Sequence, residues 1–396
     1  MIDLYPRLPG IRSILVLRPN AVGDFMFALP ALHALRHTYP QARIVLLGKA
    51  WHADFLRHRR GPIDEVLVMP PVPGVGAPAD AEVDMAAAEG FIDDIREAHF
   101  DLALQMYGGG RYSNPFIRSL GARTTVGLKT PDAEPLDRWL PYGELANRRL
   151  ELLQVAALAG AEPRLAGTEL AVTEYDRSEA AECVPLGLSR LVVVHPGASD
   201  VRRQWPPERF AAVADRLIGQ GARIVISATD AEREISEKLV SHMHHPALDL
   251  TGKLSLTALC GLLERSEMML ANDTGPLHLA LAVGTPAVGV FWLTNLLESG
   301  PLKQHLLRPA LSVRTTCPVC GTANGKHLRC AHDVSFVDDV SEDQVSALTM
   351  QLFAEKTVSE AAAPPPALHP AEFRSDPRYN GGAGDRAAPN ARVPLC

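Results

Sequence analysis

The chain has 396 residues, enough for two domains of ordinary size, and 46% of them are hydrophobic, which allows a large core. Its formal net charge is −7, with both signs mixed along the chain, so it lacks the concentrated basic face of a nucleic-acid-binding protein. We see neither a signal peptide at the start nor an apolar run near the roughly 20 residues that span a bilayer. We therefore expect a cytoplasmic protein, and peripheral contact with the inner face of a membrane stays open.

The first half alternates apolar runs typical of strands with stretches of helical apolar spacing. Strands are predicted at 11–17, 42–47, 65–69 and 101–105, helices at 25–39 and 85–98, and a Pro/Gly-rich loop at 70–82. This alternation predicts a parallel, doubly wound sheet.

The same alternation restarts after a stretch of few signals at about 164–190, which we expect to contain the linker. Strands are predicted at 191–195, 222–227, 248–249, 268–271 and 287–291, with helices at 208–220, 231–242 and 256–265. From residue 359 the composition shifts to Ala, Pro, Gly, Arg and Asp, which predicts a disordered tail. The chain is thus predicted to form two α/β halves with a ligand cleft between them.

The most informative stretch predicts a strand, a polar turn, a helix and another strand over residues 268–291. Asp273 or Thr274 can cap the helix, Pro276 suits its first turn, and Gly284 suits its end. Four residues surround the predicted helix N-terminus: Asp273, Thr274, Gly275 and His278. A helix N-terminus at the carboxyl edge of a parallel sheet is an anion site, although a well-capped core helix would show the same pattern.

A second candidate loop, Arg18-Pro-Asn-Ala-Val-Gly-Asp24, follows the first strand. It is not a nucleotide fingerprint, because it lacks both the G-x-G-x-x-G and the Walker A pattern. The carboxylate of Asp24 would lie at the mouth of the cleft, where a general base is useful. Alternatively, Asp24 caps the helix that begins at Phe25, and Arg18 is an exposed charge.

The loop after the first strand of the second half carries Arg202 and Arg203, whose guanidinium groups suit phosphate oxygens. The alternative is a surface loop with solvated arginines. After the next strand, Glu232 is a candidate for contact with a ribose or base, although helix starts favour acidic residues anyway.

The chain has six cysteines, too few and too unevenly spaced for a disulfide scaffold. Cys317 and Cys320 form a Cys-x-x-Cys pair, with Cys330 and His332 downstream. This spacing is compatible with a structural zinc or iron site, with His327 as a rival fourth ligand and free thiols as the alternative.

Several motifs occur in a characteristic order: Arg18 to Asp24 with Leu29-Pro-Ala-Leu32, Phe100-Asp-Leu-Ala-Leu-Gln105, His195-Pro-Gly-Ala-Ser199 with Arg203-Gln-Trp-Pro206, and Asn272-Asp-Thr-Gly-Pro-Leu-His278 with Gly284-Thr-Pro286. Together they resemble glycosyltransferase family 9, the ADP-heptose:lipopolysaccharide heptosyltransferases, from about residue 11 to about 355. The chain departs from that pattern at Pro19 and Asn20, which replace small hydroxyl residues of the family loop.

The resemblance implies an α/β fold of GT-B architecture, with two Rossmann-like doubly wound domains facing a central cleft. It places an acceptor-binding domain at 1–170, a nucleotide-sugar-binding domain at 171–340 and a helix at 341–358 that packs back on the first domain, before the tail at 359–396.

The resemblance also implies inverting transfer without a catalytic metal, from a nucleotide sugar such as ADP-heptose to a glycan or glycolipid. Asp24 falls on the catalytic base. Arg203, Asp273, Thr274, Gly275 and His278 fall on the donor side, where we also place Glu232; Arg18, Asn20 and Gly23 belong to the first loop. Another nucleotide sugar, a protein acceptor, a UDP-sugar 2-epimerase of the same architecture and a non-catalytic nucleotide-sugar-binding protein remain as alternatives.

Overall fold

The computed structural model describes residues 5–163, 168–322 and 330–362, with side chains as far as residue 355. Strands in these residues are β1 (Ser13–Leu17), β2 (Arg43–Gly48), β3 (Glu65–Val68), β4 (Val72–Pro73), β5 (Gly76–Ala77), β6 (Leu102–Gln105), β7 (Thr124–Lys129), β8 (Arg138–Pro141), β9 (Leu191–His195), β10 (Arg223–Ile226), β11 (Leu248–Asp249), β12 (Met268–Asn272), β13 (Ala287–Trp292) and β14 (Leu307–Ser312). Helices in the same residues are α1 (Val22–Thr38), α2 (Ala50–Leu56), α3 (Met85–Glu97), α4 (Ser113–Ser119), α5 (Arg148–Leu158), α6 (Glu174–Cys183), α7 (Pro207–Gly219), α8 (Arg233–His242), α9 (Leu256–Glu264), α10 (Gly275–Val283), α11 (Leu293–Ser299) and α12 (Glu342–Ala362).

The strands form two parallel six-stranded sheets, which confirms the predicted fold class. The first sheet has the order β3-β2-β1-β6-β7-β8, and the second has the order β11-β10-β9-β12-β13-β14. Both are the Rossmann order, in which the chain reverses direction across the sheet beside its first strand. β4 and β5 pair only with each other, within the stretch predicted as a loop.

The sequence and the strand order together indicate where a ligand would bind. β9 and β12 are buried throughout and apolar up to their last residues, His195 and Asn272, as expected for central strands covered by helices on both faces. The loops after β1, β9 and β12 therefore leave the carboxyl ends of strands that border the reversal points. Open α/β sheets bind ligands at these points.

The two halves also share a hydrophobic core. α1 of the first half packs against α10 of the second, and one cluster of buried residues includes Phe25 and Leu29 together with Leu277 and Leu281. α10 ends as predicted at Gly284, whose φ of +93° is in the left-handed region. This contact fixes the N-termini of α1 and α10 side by side at the base of the cleft.

The segment expected to contain the linker also forms α6, which packs against α9 of the second half. One expectation about a connecting segment is wrong. α12 packs against α7, β13 and β14 rather than back on the first half, because Val345, Leu352 and Phe353 enter the second core.

α12 continues to Ala362, so the first residues of the expected tail are helical. The remainder of that expectation, residues 363–396, lies outside the described residues. Within the described part of the chain, no helix combines the length and apolar character needed to cross a bilayer.

Candidate active site

A cavity of about 740 Å³ lies between the two halves. Its lining from the first half includes Gly23, Asp24, Phe27 and Arg148, and from the second half Arg202, Arg203, Asp273, Thr274, Gly275, His278, Trp292 and Asn295. The fold thus brings most of the site residues predicted from separate motifs into one cleft.

Asp24 is the third residue of α1, whose N-cap is Ala21, so the interpretation of Asp24 as a helix cap is wrong. Its side chain is 42% exposed and borders the cavity. Arg18 is buried, not an exposed strand-end charge, and its Nε and Nη2 donate to the Asp24 carbonyl oxygen at 3.1 and 2.7 Å. Nη2 also lies 3.4 Å from Asp24 Oδ1. Arg18 therefore fixes the backbone that carries an accessible carboxylate.

The N-termini of α1 and α10 touch at Gly23 and Gly275. A Cβ added at Gly23 would lie 3.2 Å from His278 Cδ2 and 3.4 Å from Gly275 Cα. The first amides of a helix have no partners in their own helix and carry partial positive charge. Two such ends at one point therefore favour an anion in the cleft.

Asp273 is an organising residue rather than a helix cap. Thr274 occupies the N-cap position of α10. Within the described residues, neither its side chain nor that of Asp273 makes a capping hydrogen bond to the helix. The Asp273 carboxylate instead accepts from His278 Nε2 at 2.9 Å, Asn295 Nδ2 at 2.9 Å and Ser299 Oγ at 3.1 Å. Burial alone would raise the pKa of Asp273, but His278, Arg203 and Asn295 together lower that pKa well below its usual range.

Contacts with Asp273 hold Arg203 at the cavity. Its Nη1 donates to the Asp273 carbonyl oxygen at 3.0 Å and lies 3.6 Å from Asp273 Oδ2, while Nη2 donates to Ser199 Oγ at 3.0 Å. Its neighbour Arg202 pairs with Asp200 through Nε and Nη2. Arg202 Nη1 is buried and has no hydrogen-bond partner in the described residues, although Arg202 lines the cavity. A guanidinium nitrogen in this position can bind an anionic ligand.

The structure adds residues that the sequence reasoning missed. Arg148 lines the cavity and joins Glu151 of its own helix to Glu298 of the second half. Arg149 is fully buried over the Phe27 ring and donates to carbonyl groups at the end of α11. Burial lowers the pKa of Arg149 to about 10. The sequence signal for these two arginines was the run Asn147-Arg-Arg, in which a typical N-cap residue precedes them. In the structure Asn147 caps α5, and its side chain also donates to the Gly300 carbonyl oxygen.

Glu232 and Asn20 do not contribute to the described cavity lining. The Glu232 carboxylate accepts from the Thr229 backbone and hydroxyl at 2.9 Å, lies 3.6 Å from His195 Nε2 and presses against Gly197. Burial alone would raise the pKa of Glu232, but His195 and Thr229 outweigh it and lower the pKa to about 2. Glu232 thus supports the loop after β9 without lining the cavity.

The structure brings the predicted cysteine and histidine ligands into one cluster. The ligand atoms of Cys317, Cys320, Cys330 and His332 lie within 4.8 Å of one another. His327, the rival ligand, lies outside the described residues. Cys317 is buried in the second core and Cys320 is exposed. Since Cys3His is a donor set of structural zinc sites, these residues fit a metal ion.

Three comparisons place this geometry among known proteins. The chain is 24% identical over 308 residues to the lipopolysaccharide core heptosyltransferase OpsX of Haemophilus influenzae, covering 73% of this chain and 82% of that one. The structure of Escherichia coli ADP-heptose LPS heptosyltransferase II has a TM-score of 0.67 at 18% identity, covering 88% and 100%. The iron-containing dodecameric glycosyltransferase TibC of enterotoxigenic E. coli has a TM-score of 0.54 at 14% identity, covering 88% and 78%.

Two Rossmann-like halves around a shared cleft define the GT-B class of glycosyltransferase folds. The model of glycosyltransferase family 9 (heptosyltransferase) matches residues 91–312, more than half of the chain. The protein therefore belongs to glycosyltransferase family 9 and is a glycosyltransferase.

Proposed function

We propose that the protein transfers heptose from ADP-heptose to a lipopolysaccharide-core or related glycan acceptor, with inversion at the anomeric carbon. One observation carries this proposal: the accessible carboxylate of Asp24 shares a cavity with Arg203 and the N-terminus of α10. The names of the related heptosyltransferases support the choice of donor and acceptor.

In this proposal Asp24 is the general base. Its carboxylate accepts the proton of the acceptor hydroxyl as that oxygen bonds to the anomeric carbon, and the bond to ADP breaks. Arg18 and Gly23 act on the base indirectly, Arg18 by holding its backbone and Gly23 by allowing α1 to approach α10. Asn20 belongs to the same loop, on the acceptor side.

The donor side stabilises the leaving diphosphate. Arg203 lines the cleft together with Thr274 and Gly275, which begin α10. The charge of Arg203 and the helix N-terminus would stabilise the charge that develops on the departing group. Asp273 is buried, so we assign it a positioning role toward Arg203 and His278. Glu232 acts at one remove, by bracing the loop after β9.

The proposed displacement needs no catalytic cofactor, because proton acceptance and charge stabilisation come from the groups above. A metal ion in the Cys/His cluster would be structural, zinc or iron by its donor set. We further propose a cytoplasmic location at the inner face of the membrane. None of the cysteines in the described residues forms a disulfide bond, as is usual in proteins of reducing compartments.

A crossed pair of variants tests the assignment. We expect Asp24→Asn to lower kcat by about 10²-fold or more, the usual scale for a positioned base, while ADP affinity measured by calorimetry stays unchanged. Arg203→Ala should instead weaken ADP binding by about tenfold or more, because it removes a charge-assisted contact.

A thermal-shift panel of nucleotide sugars tests the donor. Ligand stabilisation follows mass action, so ADP-heptose should raise Tm more than UDP- or GDP-sugars at equal concentration. Near-full turnover of Asp24→Asn would refute the base, and a larger shift with another nucleotide sugar would refute the donor. If the protein epimerised a UDP-sugar in the absence of an acceptor, it would be an isomerase and the proposed transfer reaction would be wrong.

A further inference from the structure

The cysteine loop, by which we mean residues 313–322 and 330–340 after β14, carries the four clustered ligands and belongs to neither side of the proposed reaction. Cys317 Sγ lies 3.8 Å from His332 Nδ1. A tetrahedral ion with bonds of about 2.0–2.3 Å would hold such atoms about 3.5 Å apart, so small movements would close the site.

The backbone around Cys317 is shaped for a metal-bound thiolate. The Val319 amide donates to Cys317 Sγ at 3.4 Å, and the Gly321 amide donates to the Cys317 carbonyl oxygen at 2.9 Å. Gly321 has a φ of +70°, which a side chain would disfavour. Amide donors to a ligating sulfur orient and stabilise it, as outer hydrogen bonds do in metal sites.

The same loop holds the segment that carries the two donor-side arginines. The Phe336 amide donates to the Arg202 carbonyl oxygen at 2.8 Å, and Ser335 Oγ donates to the Gln204 carbonyl oxygen at 2.6 Å. In the other direction, Trp205 Nε1 donates to the Val340 carbonyl oxygen at 2.9 Å. The backbone on both sides of Arg203 is therefore bonded to the cysteine loop.

A second connection passes through Trp292, which lines the cavity. Its Nε1 donates to the Arg314 carbonyl oxygen at 2.6 Å, and its ring stacks on Phe336 with centroids 4.8 Å apart. Cys317 lies in the same buried cluster as Trp292 and Phe336. Packed side chains thus connect the cysteine ligands to Trp292 in the wall of the cavity.

We propose that Cys317, Cys320, Cys330 and His332 bind one structural divalent metal ion, Zn²⁺ or Fe²⁺, that positions Arg202, Arg203 and Trp292 for the donor diphosphate. The positioning part rests on the proposed function, which places the diphosphate at Arg203. The ligands themselves are positioning residues, because none of them lines the described cavity.

Metal content tests the site independently of any activity. We expect about one equivalent of zinc or iron per purified full-length chain by elemental analysis, with iron distinguished from zinc by thiolate-to-metal absorbance. Cys320→Ser should lose the metal, Cys320→His should keep it, and the control Cys183→Ser on α6 should keep it. Less than about half an equivalent in the folded wild-type chain would overturn the proposal.

Donor affinity and tryptophan fluorescence test the positioning. Removal of the metal by a chelator, or Cys320→Ser, should weaken ADP binding about tenfold and change the emission of Trp205 and Trp292. Metal restored to the chelator-treated wild-type chain should reverse both effects. Unchanged ADP affinity in a metal-free, folded chain would refute the positioning. If metal-loaded protein binds no ADP, the proposed function fails, and metal content and fluorescence still decide the metal site.

Discussion

At the residue scale, the sequence predicted which residues gather at the cleft better than it predicted how they contact one another. Asp24, Arg203 and His278 follow predicted strands, and the carboxyl ends of parallel strands share one edge of a sheet. The partners of Asp273 were beyond prediction because Asn295 and Ser299 of α11 come near it only once β12 and β13 pair side by side. An exposed Arg18 remained an alternative because local sequence does not show that its guanidinium donates to the Met106 carbonyl oxygen.

Glu232 gives a pH-dependent prediction at this scale. Its carboxyl is only 14% exposed, and its pKa falls from 4.5 to about 2 on folding. A group with a depressed folded-state pKa stabilises the protein above its unfolded-state pKa and loses that effect as pH falls through the folded value. Glu232→Gln should therefore lower the free energy of unfolding at pH 7 by up to about 3 kcal/mol. The difference from wild type should persist to about pH 5 and shrink between pH 4.5 and 2.

Urea titrations of both proteins across that pH range, followed by fluorescence and circular dichroism, measure this difference. Glu234→Gln is the matched control, because Glu234 lies in an exposed i,i+4 pair with Lys238, and such pairs contribute little. A difference for Glu232→Gln that is independent of pH would show that the lost contacts are steric rather than ionic.

At the element scale, prediction succeeded where the pattern was periodic or continuously apolar. β9 and β11 were predicted with their observed limits, while the short helices α2, α4 and α11 were missed. A helix of seven residues shows too few turns for its spacing to stand out. The wrong partner assigned to α12 has another cause, since an apolar face does not encode which sheet will cover it.

The contact of α1 with α10 gives a prediction for this scale. Gly23→Ala should lower the free energy of unfolding by about 1 kcal/mol, since its Cβ would enter the 3.2 Å space beside His278. It should also lower kcat, because relief of this contact moves Asp24 away from the start of α10. Gly90→Ala in the exposed interior of α3 is the control, with open space around it.

Chemical unfolding and steady-state kinetics on both variants measure these effects. Gly90→Ala should stabilise the protein by about 0.4–1 kcal/mol and leave kcat unchanged, since alanine is the better helix former. Equal stabilisation by Gly23→Ala, with full activity, would show that the two helix ends do not need their close approach.

At the scale of the whole molecule, the sequence predicted two halves and a cleft, but not that the halves are joined behind the cleft. One buried apolar cluster runs through α1 and α10, and a buried ion pair joins Arg59 of the first half to Asp176 of α6 at 2.8 Å. Arg59 also lies over the Phe55 ring and donates to the Ala171 carbonyl oxygen. The contacts of Arg59 with Ala171 and Asp176 pair residues more than 100 positions apart, so local patterns cannot reveal them.

A shared core predicts that wild-type protein unfolds in one calorimetric transition. Arg59→Met should lower the free energy of unfolding by about 3–5 kcal/mol, because it leaves the buried Asp176 carboxylate without its counter-charge. The single transition should persist at a lower Tm, since the apolar contact of α1 with α10 remains. The control Arg57→Ala breaks an exposed pair with Asp54 and should change stability by less than about 1 kcal/mol.

The double variant Arg59→Met/Asp176→Asn separates charge from packing. Asparagine removes the buried charge, and its side-chain oxygen can still accept from the Thr173 amide, as Asp176 Oδ2 does at 2.7 Å. We therefore expect the double variant to recover most of the stability lost in Arg59→Met, because an unpaired buried charge costs more than a neutral polar group. If the double variant were no more stable than Arg59→Met, the stabilisation would come from the packing of Arg59 on Phe55. If wild-type protein showed two transitions, the halves would be independent, and the closeness of Gly23 to Gly275 would depend on bound substrate rather than on the shared core.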